Sequence, residues 1–339
     1  MKGETIVLTR EPGVETTLPD PQGQVGELLD LIDGERTAGE IAEVIGAGRP
    51  ELTPEAVAEG IAALDAAELL EDAAAATSLS ERERERYQSN LEFFGAFAGF
   101  ERSRYSFQER LRQSHVLLLG VGGIGSTVLC NLAGLGVGRV TVVDSDAVEL
   151  GNLSRQFLYG ENDVGRPKLA RAAARIESLN RGVSLMPIER RILRSADVAD
   201  LLDGVDLVVS AIDRPEGIQY QVNDACVEAG IPWVNGAVWA TRGYYYSVLP
   251  GQSGCLRCHG AIREREEGPN IPEWPELVNG ATGPTATLIS SLVALEGLRY
   301  LTGFAPPVAA ARVWVADFAE GGVAVGYEWP RLPECGVCN

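Results

Sequence analysis

Histidine is almost missing from this chain. His115 and His259 are the only two in 339 residues. Schemes built on a histidine acid or base therefore have little to work with. His115 opens an apolar run and His259 follows a Cys-x-x-Cys pair, so both read as structural. Long apolar runs are missing too: eighteen consecutive apolar residues occur nowhere, and no membrane span is expected. The opening "MKGETIVLTR" lacks the apolar stretch and small-residue cleavage site of a signal peptide. A cytoplasmic protein with no membrane partner is the expectation. Positive charge is scarce, with 29 Lys and Arg against 48 Asp and Glu, a net −19. Residues 1–78 hold seventeen acidic against four basic residues, so −13 of that charge lies there. Affinity for nucleic acid phosphates comes from Lys and Arg, which argues against nucleic acid as a partner. The acidic segment fits either a solubilising surface or a basic partner.

What is present is a 45% hydrophobic chain, long enough for two domains, with neither internal repeats nor low-complexity tracts. Two short extended pieces, "ETIVLTR" and "VETTLPD", are separated by Pro12 and Gly13. "QVGELLDLIDG" reads as a helix ending at Gly34. Thr37 with Glu40 forms a capping box before "IAEVIGAG", and Thr53 caps a helix with Pro54 first and Val57, Ile61 and Leu64 on its apolar face. Two strands and three short helices predict a small winged-helix-like α+β domain over residues 1–78. On "LLDLIDGERTAGEIAEVIG" and "VAEGIAALDAAELLED" it resembles the PqqD-like recognition domain, which implies leader-peptide binding by strand addition to its sheet edge. Residues 79–108 read as a linker and a helical arm whose alternating charges make a solvated face.

Residues 109–339 change character. "HVLLLG", "RVTVVD", "VSLMPIE", "DLVVSAID" and "IPWVNGAV" are apolar runs separated by helical stretches such as "RPKLARAAARIESLN". That alternation predicts an α/β domain, a Rossmann-like and mostly parallel sheet with helices on both faces. "GVGGIG", from Gly120 through Gly122 and Gly123 to Gly125, lies between a strand and a helix, where glycines let backbone approach a phosphate. Asp144 follows Gly120 by twenty-four residues, near the spacing for a ribose ligand, and NAD is the first candidate on these features alone. Asp146 reads first as a turn cap and second as a further ribose ligand.

The following residues favour ATP. Arg155 and Lys168 follow the second strand, where cations can reach a polyphosphate, whereas hydride transfer lacks its histidine. Attack on an α-phosphate needs cations and Mg²⁺ to offset charge on the departing pyrophosphate. An attacking carboxylate is already ionised and requires no base. Asp213, after "DLVVSAI", falls at the carboxyl end of the sheet, where ligands bind in such folds, and is the Mg²⁺ candidate.

"GVGGIGS", "DSDAVELGNLSRQ", "VGRPK", "AID" and paired C-x-x-C motifs, in order across residues 115–338, resemble the ThiF/MoeB family of adenylating enzymes. The resemblance implies that Asp144 holds ribose, that Asn152, Arg155, Gln156 and Lys168 contact phosphates, and that Asp213 holds Mg²⁺. It also implies a homodimer and activation of a carboxylate as an acyl adenylate. Cys255, Cys258, Cys335 and Cys338 supply four thiolates in two C-x-x-C knuckles, the donor set of a closed structural Zn²⁺ site.

Four departures qualify the resemblance. The stretch between the first knuckle and the next helix holds no cysteine, and Cys130 and Cys226 fall in apolar helices, so a thioester step is not expected. Gly260 to Pro284 fits a substrate loop or a plain solvated one. An R-Y-x-R arginine that reaches a partner subunit's ATP is replaced by Ser89 or Phe107, with Arg84, Arg86 and Arg104 nearby. After Asp213 stands Arg214 in place of Asn, and Gln219 stands near the usual arginine. These last changes resemble the peptide-modifying, microcin-type branch. The sequence therefore predicts ATP-dependent adenylation of a peptide carboxylate or amide, with a precursor leader peptide bound by the N-terminal domain. The rivals are a sulfur-carrier adenylyltransferase, a non-catalytic leader-binding partner of a YcaO-type cyclodehydratase, and, last, a nicotinamide dehydrogenase.

Overall fold

A computed structural model describes residues 5–267 and 280–339, apart from residue 12. The chain divides into two compact units, Met1–Glu109 and Arg110–Asn339. No helix among the described residues is long and apolar enough to cross a membrane.

In the first unit, β1 (Thr5–Glu11) and β2 (Val14–Pro19) pair antiparallel. Helices follow at Gln24–Leu31, Ala38–Gly48 and Pro54–Ala66. The two expected caps are present. Thr37 Oγ1 accepts from the Glu40 N–H at 3.3 Å while Glu40 Oε2 accepts from the Thr37 N–H at 2.8 Å, and Thr53 Oγ1 accepts from the Ala56 N–H. Leu28, Ile41, Ile45, Val57, Ile61, Leu64 and Leu70 form the small core beneath. The strands alternate half-buried and exposed residues, and Leu18 of β2 packs against this helical core.

Residues 79–108 belong to this same unit. Arg104 ties the stretch down: its Nε and Nη2 contact the Glu71 carboxylate at 2.7–2.9 Å, and its Nη1 contacts Glu92 at 2.7 Å. The N–H of Phe100 donates to Asp65 Oδ1 at 2.9 Å. Phe94 is fully buried and stacks on Phe107 with ring centroids 5.1 Å apart.

The second unit is built on an eight-stranded sheet ordered β10-β9-β8-β7-β6-β3-β4-β5. Its strands are β3 (His115–Leu119), β4 (Arg139–Asp144), β5 (Ser184–Glu189), β6 (Leu207–Ser210), β7 (Trp233–Trp239), β8 (Arg242–Val248), β9 (Arg312–Asp317) and β10 (Val323–Glu328). β5, β4, β3, β6 and β7 are parallel, and β8 to β10 continue antiparallel. Helices Gly125–Leu135 and Gly283–Thr302 pack together on one face, with Ile289 and Val293 against Gly236 and Ile289 against Gly243. The opposite face buries Leu117, Leu119, Val208, Trp233 and Val248 with Val222 and Cys226 of helix Ile218–Ala229. The expected α/β sheet covered on both faces is what the chain forms.

Chain order reverses between β3 and β6, so their carboxyl-end loops meet at a topological switch point. His115 lies at the opposite, amino end of β3: it is 8% exposed, and its ring nitrogens contact the Gly204 carbonyl at 3.0 Å and Thr141 Oγ1 at 2.8 Å.

Phe94→Ala removes a buried ring from the first unit and should cost about 3–5 kcal/mol. Thermal or denaturant unfolding checks this, and a variant that unfolds like wild type contradicts the packing described.

Candidate functional site

The switch-point loop depends on two missing side chains. Gly120 has φ +90°, and a Cβ there would stand 2.8 Å from the Ala211 carbonyl oxygen and 2.9 Å from Ile212 Cγ2. A Cβ on Gly125 would stand 1.9 Å from the Gly120 carbonyl oxygen. These glycines permit the close approach of strand, loop and helix. Gly122 and Gly123 are less crowded, with Gln156 Nε2 at 3.8 Å and Arg155 Cδ at 3.7 Å from their would-be Cβ positions. Helix Gly125–Leu135 has no side-chain N-cap, although the Ser126 N–H already donates to the Gly122 carbonyl at 3.0 Å; an uncapped helix start of this kind suits an anion. Two residues that the sequence reading missed brace this loop. Buried Tyr159 donates its hydroxyl proton to the Val121 carbonyl at 2.9 Å, and the Ser290 hydroxyl is shared between the Ala286 carbonyl at 2.7 Å and the Ile124 carbonyl at 3.0 Å. Only the fold reveals these contacts, since Ser290 is 166 residues from Ile124 in the chain.

At the end of β4, Asp144 Oδ2 accepts from the Val121 N–H and Oδ1 from the Asp146 N–H, each at 2.8 Å. A carboxylate offers about four lone-pair sites, so both oxygens can still accept from ribose hydroxyls. Asp146 has another partner: its Oδ2 lies 2.9 Å from Lys168 Nζ, and its carbonyl accepts the Lys168 N–H. This pairing holds Lys168, only 6% exposed, at the entrance of helix Lys168–Leu179. The Asn152 carbonyl accepts N–H groups from Arg155 and Gln156, and its side-chain oxygen accepts from the Glu149 N–H at 3.2 Å. Asn152 therefore shapes the turn that carries the other two. Arg155 Nη1 donates to the Gly151 carbonyl at 3.1 Å and its stem runs beside Gly123. Gln156 is 3% exposed, and its Oε1 has no partner among the described residues. An unpartnered buried acceptor calls for a donor, such as a ligand hydroxyl or amino group, while the uncapped helix start nearby suits an anion.

Asp213 is exposed after β6. Gln219 fixes the loop behind it, accepting from Ser210 Oγ at 2.8 Å and donating to the Ile212 carbonyl at 2.5 Å. Asn235 Nδ2 donates to the Ser210 carbonyl at 3.0 Å. Gln219, seen in sequence only as a departure, thus positions the Asp213 loop. Arg104, one candidate for the missing arm arginine, is already committed to Glu71 and Glu92. Within the Gly260–Pro284 stretch, residues 268–279 lie outside the described residues. Of the remainder, Gly280 rests near Ala240, and Gly283 leaves room for the Phe157 ring.

The four knuckle cysteines come together. Their sulfurs all lie within 4.8 Å of one another, with Cys255–Cys258 at 3.9 Å, Cys255–Cys335 at 3.7 Å and Cys258–Cys338 at 3.5 Å. A tetrahedron with Zn–S bonds of about 2.3 Å has edges of about 3.8 Å, so the donor set fits a Zn²⁺-sized ion. Burial pushes the Cys255 and Cys258 thiols up. At Cys335, burial is outweighed by the Val337 and Cys338 N–H groups, and the thiol falls to about 7. Trp329 Nε1 braces the knuckle through the Gly254 and Cys255 carbonyls at 3.1 and 3.0 Å. His259 stacks on Tyr327 with ring centroids 5.0 Å apart. Burial raises the thiol pKa of both Cys130 and Cys226, which suits packing rather than nucleophilic work.

Comparison with known proteins agrees with this geometry. The ThiF family profile matches residues 89–335. The sulfur carrier protein adenylyltransferase of Thermus thermophilus is 37% identical over 238 residues, spanning 68% of this chain and 84% of that protein. The molybdopterin-synthase adenylyltransferase of Escherichia coli is 33% identical over 267 residues, spanning 77% and 98%. Among solved structures, E. coli MccB with ATP is similar over 99% of this chain and 98% of its own, with TM-score 0.75 and 20% identity. PaaA is similar over 97% and 99%, with TM-score 0.73 and 21% identity. These two likenesses concern the fold, and they extend through the N-terminal unit that the family profile largely omits. On the extent of the profile match and of the sequence relatives, this chain belongs to the ThiF family, the family of the adenylyltransferases just named.

Proposed function

We propose that the protein adenylates a peptide carboxylate or amide with ATP, releasing pyrophosphate, while its N-terminal unit holds the leader of the same peptide. The observation that carries this reading is the switch-point site, in which Asp144, the glycine loop, Lys168, Arg155 and Asp213 surround the carboxyl ends of β3, β4 and β6. MccB supports the peptide substrate: its structures include complexes with ATP and with MccA, and its fold covers both units of this chain. In the first unit, the sheet has only two strands, so each of β1 and β2 keeps an unpaired edge for strand addition.

In this reading Asp144 accepts hydrogen bonds from ribose, and the uncapped helix N-terminus with Gly122 and Gly123 cradles phosphate. The acceptor oxygen attacks the α-phosphorus. The bond from that phosphorus to the bridging oxygen breaks, and pyrophosphate departs with the electron pair. A carboxylate acceptor needs no proton removed, which agrees with a site that uses neither histidine. Arg155 and Lys168 meet the phosphate charge as it shifts to the leaving group. Mg²⁺ bound by Asp213 would neutralise further charge there. Cys255, Cys258, Cys335 and Cys338 would hold a structural Zn²⁺, closing the C-terminal segment onto the knuckle. No thioester follows in this scheme, since Cys130 and Cys226 are packed in helices. The protein acts as a homodimer in the cytoplasm, with neither nucleic acid nor membrane as partner.

A second reading, adenylation of a sulfur-carrier protein, draws support from the sequence relatives at 33–37% identity. Pyrophosphate exchange that requires a small carrier protein rather than a short peptide would select it.

Asp213→Ala should lower peptide-dependent ATP–pyrophosphate exchange by about 10²-fold or more while leaving leader-peptide binding unchanged. An exchange rate near wild type would refute the assigned role. For the metal site, elemental analysis should find one zinc per chain, and Cys338→Ser should lose that zinc and melt earlier. Zinc-free wild type, together with an unchanged melting temperature in the variant, would overturn the assignment.

A further inference from the structure

The cations assigned so far stand on one side of the glycine loop. Arg155 and Lys168 both follow β4, and β4 flanks β3 on one side only. On the other side is β6, and the loop that follows it carries "DRPEG". We propose that Arg214 is a second phosphate-binding residue, which meets the pyrophosphate portion of ATP from the β6 side and stabilises it as it departs.

Three observations support this. Ile212 Cγ2 lies 2.9 Å from the position a Cβ on Gly120 would take, so the β6 loop starts in contact with the phosphate loop. Arg214 is two residues further, at most about 8 Å from Ile212 between Cα atoms. The approach is rigidly held. Gln219 bonds both Ser210 and the Ile212 carbonyl, and the Ile218 N–H donates to the Pro215 carbonyl at 3.0 Å. Finally, the Arg214 side chain is exposed and makes no hydrogen bond or ion pair among the described residues. Many of this chain's arginines are paired with carboxylates, as Arg104, Arg171, Arg194 and Arg257 are. An unpaired guanidinium beside Asp213, in a chain of net charge −19, is a donor fork without an acceptor.

Chemically, the negative charge that moves onto the bridging oxygen when the α-phosphorus bond breaks would be met from both sides, by Arg155 and Lys168 and by Arg214. The assignment rests on the adenylating reading, but its test needs no acceptor. With full-length protein and Mg²⁺, calorimetric titrations with ATP, AMP and inorganic pyrophosphate separate the β,γ-phosphate contacts from those to ribose and α-phosphate. In Arg214→Ala, affinity for ATP and pyrophosphate should fall about tenfold or more, with AMP affinity kept within about twofold. Arg214→Lys should fall between Arg214→Ala and wild type. Unchanged ATP affinity in Arg214→Ala overturns the proposal, as does equal weakening of ATP and AMP, which would mark a structural role. If wild type binds neither ATP nor AMP, the adenylating reading itself fails. A loss of ATP affinity in Arg84→Ala with Arg214→Ala unaffected would assign the contact to the arm instead.

Discussion

The site depends on a contact with no side chain in it: the approach of Gly120 to the backbone of Ala211 at the switch point between β3 and β6. A methyl group at Gly120 would meet a carbonyl oxygen at 2.8 Å, and one at Gly125 would meet the Gly120 carbonyl at 1.9 Å. With both absent, the β6 loop can close on the phosphate loop. Asp213 is carried by the β6 loop that closes in this way, and Asp144 ends β4 on the other side of β3. Tyr159 and Ser290 fasten the loop by its carbonyls, and Asp144 holds it by the Val121 N–H. The order of strands, more than any one residue, therefore makes the site.

Charge is organised around that opening. Most of the net negative charge, −13 of −19, belongs to the first 78 residues, and the cations proposed to meet phosphate are few and held in place. Lys168 is buried against Asp146, and Arg155 is turned toward the glycine loop through Gly151. A cation fixed beforehand costs little reorganisation when phosphate charge moves, and this is where such a site acquires its rate. Asp144 acts differently. It is bound to backbone N–H groups at both oxygens, so its orientation is set by the backbone.

Local signals made much of this legible. The glycine spacing, the acidic residue twenty-four positions on and the alternating apolar runs each report a local backbone need, and the sheet formed as those runs imply. The two C-x-x-C pairs announced a cluster although about eighty residues separate them, because each pair is itself a knuckle. Less legible were the contacts made at long range. Asp146 reads as a cap or ribose ligand, and its pairing with Lys168 could not be read locally, because it depends on how β4 and the following helix lie. Gln219 stood out only as a departure, and Tyr159 not at all. Neither has a local pattern, since their hydrogen bonds go to carbonyls that only the folded sheet brings near. The stretch over 79–108 read as linker and arm, yet Arg104, Phe94 and Phe107 give it a packed role within the first unit.

Attack by the acceptor oxygen on the α-phosphorus is the central claim, and oxygen labelling tests it most directly. With an acceptor peptide carrying ¹⁸O at its reactive group, turnover with ATP should transfer one label into the phosphate of AMP. Label found in inorganic phosphate, with ADP as the nucleotide product, would place the attack at the γ-phosphate and contradict the account.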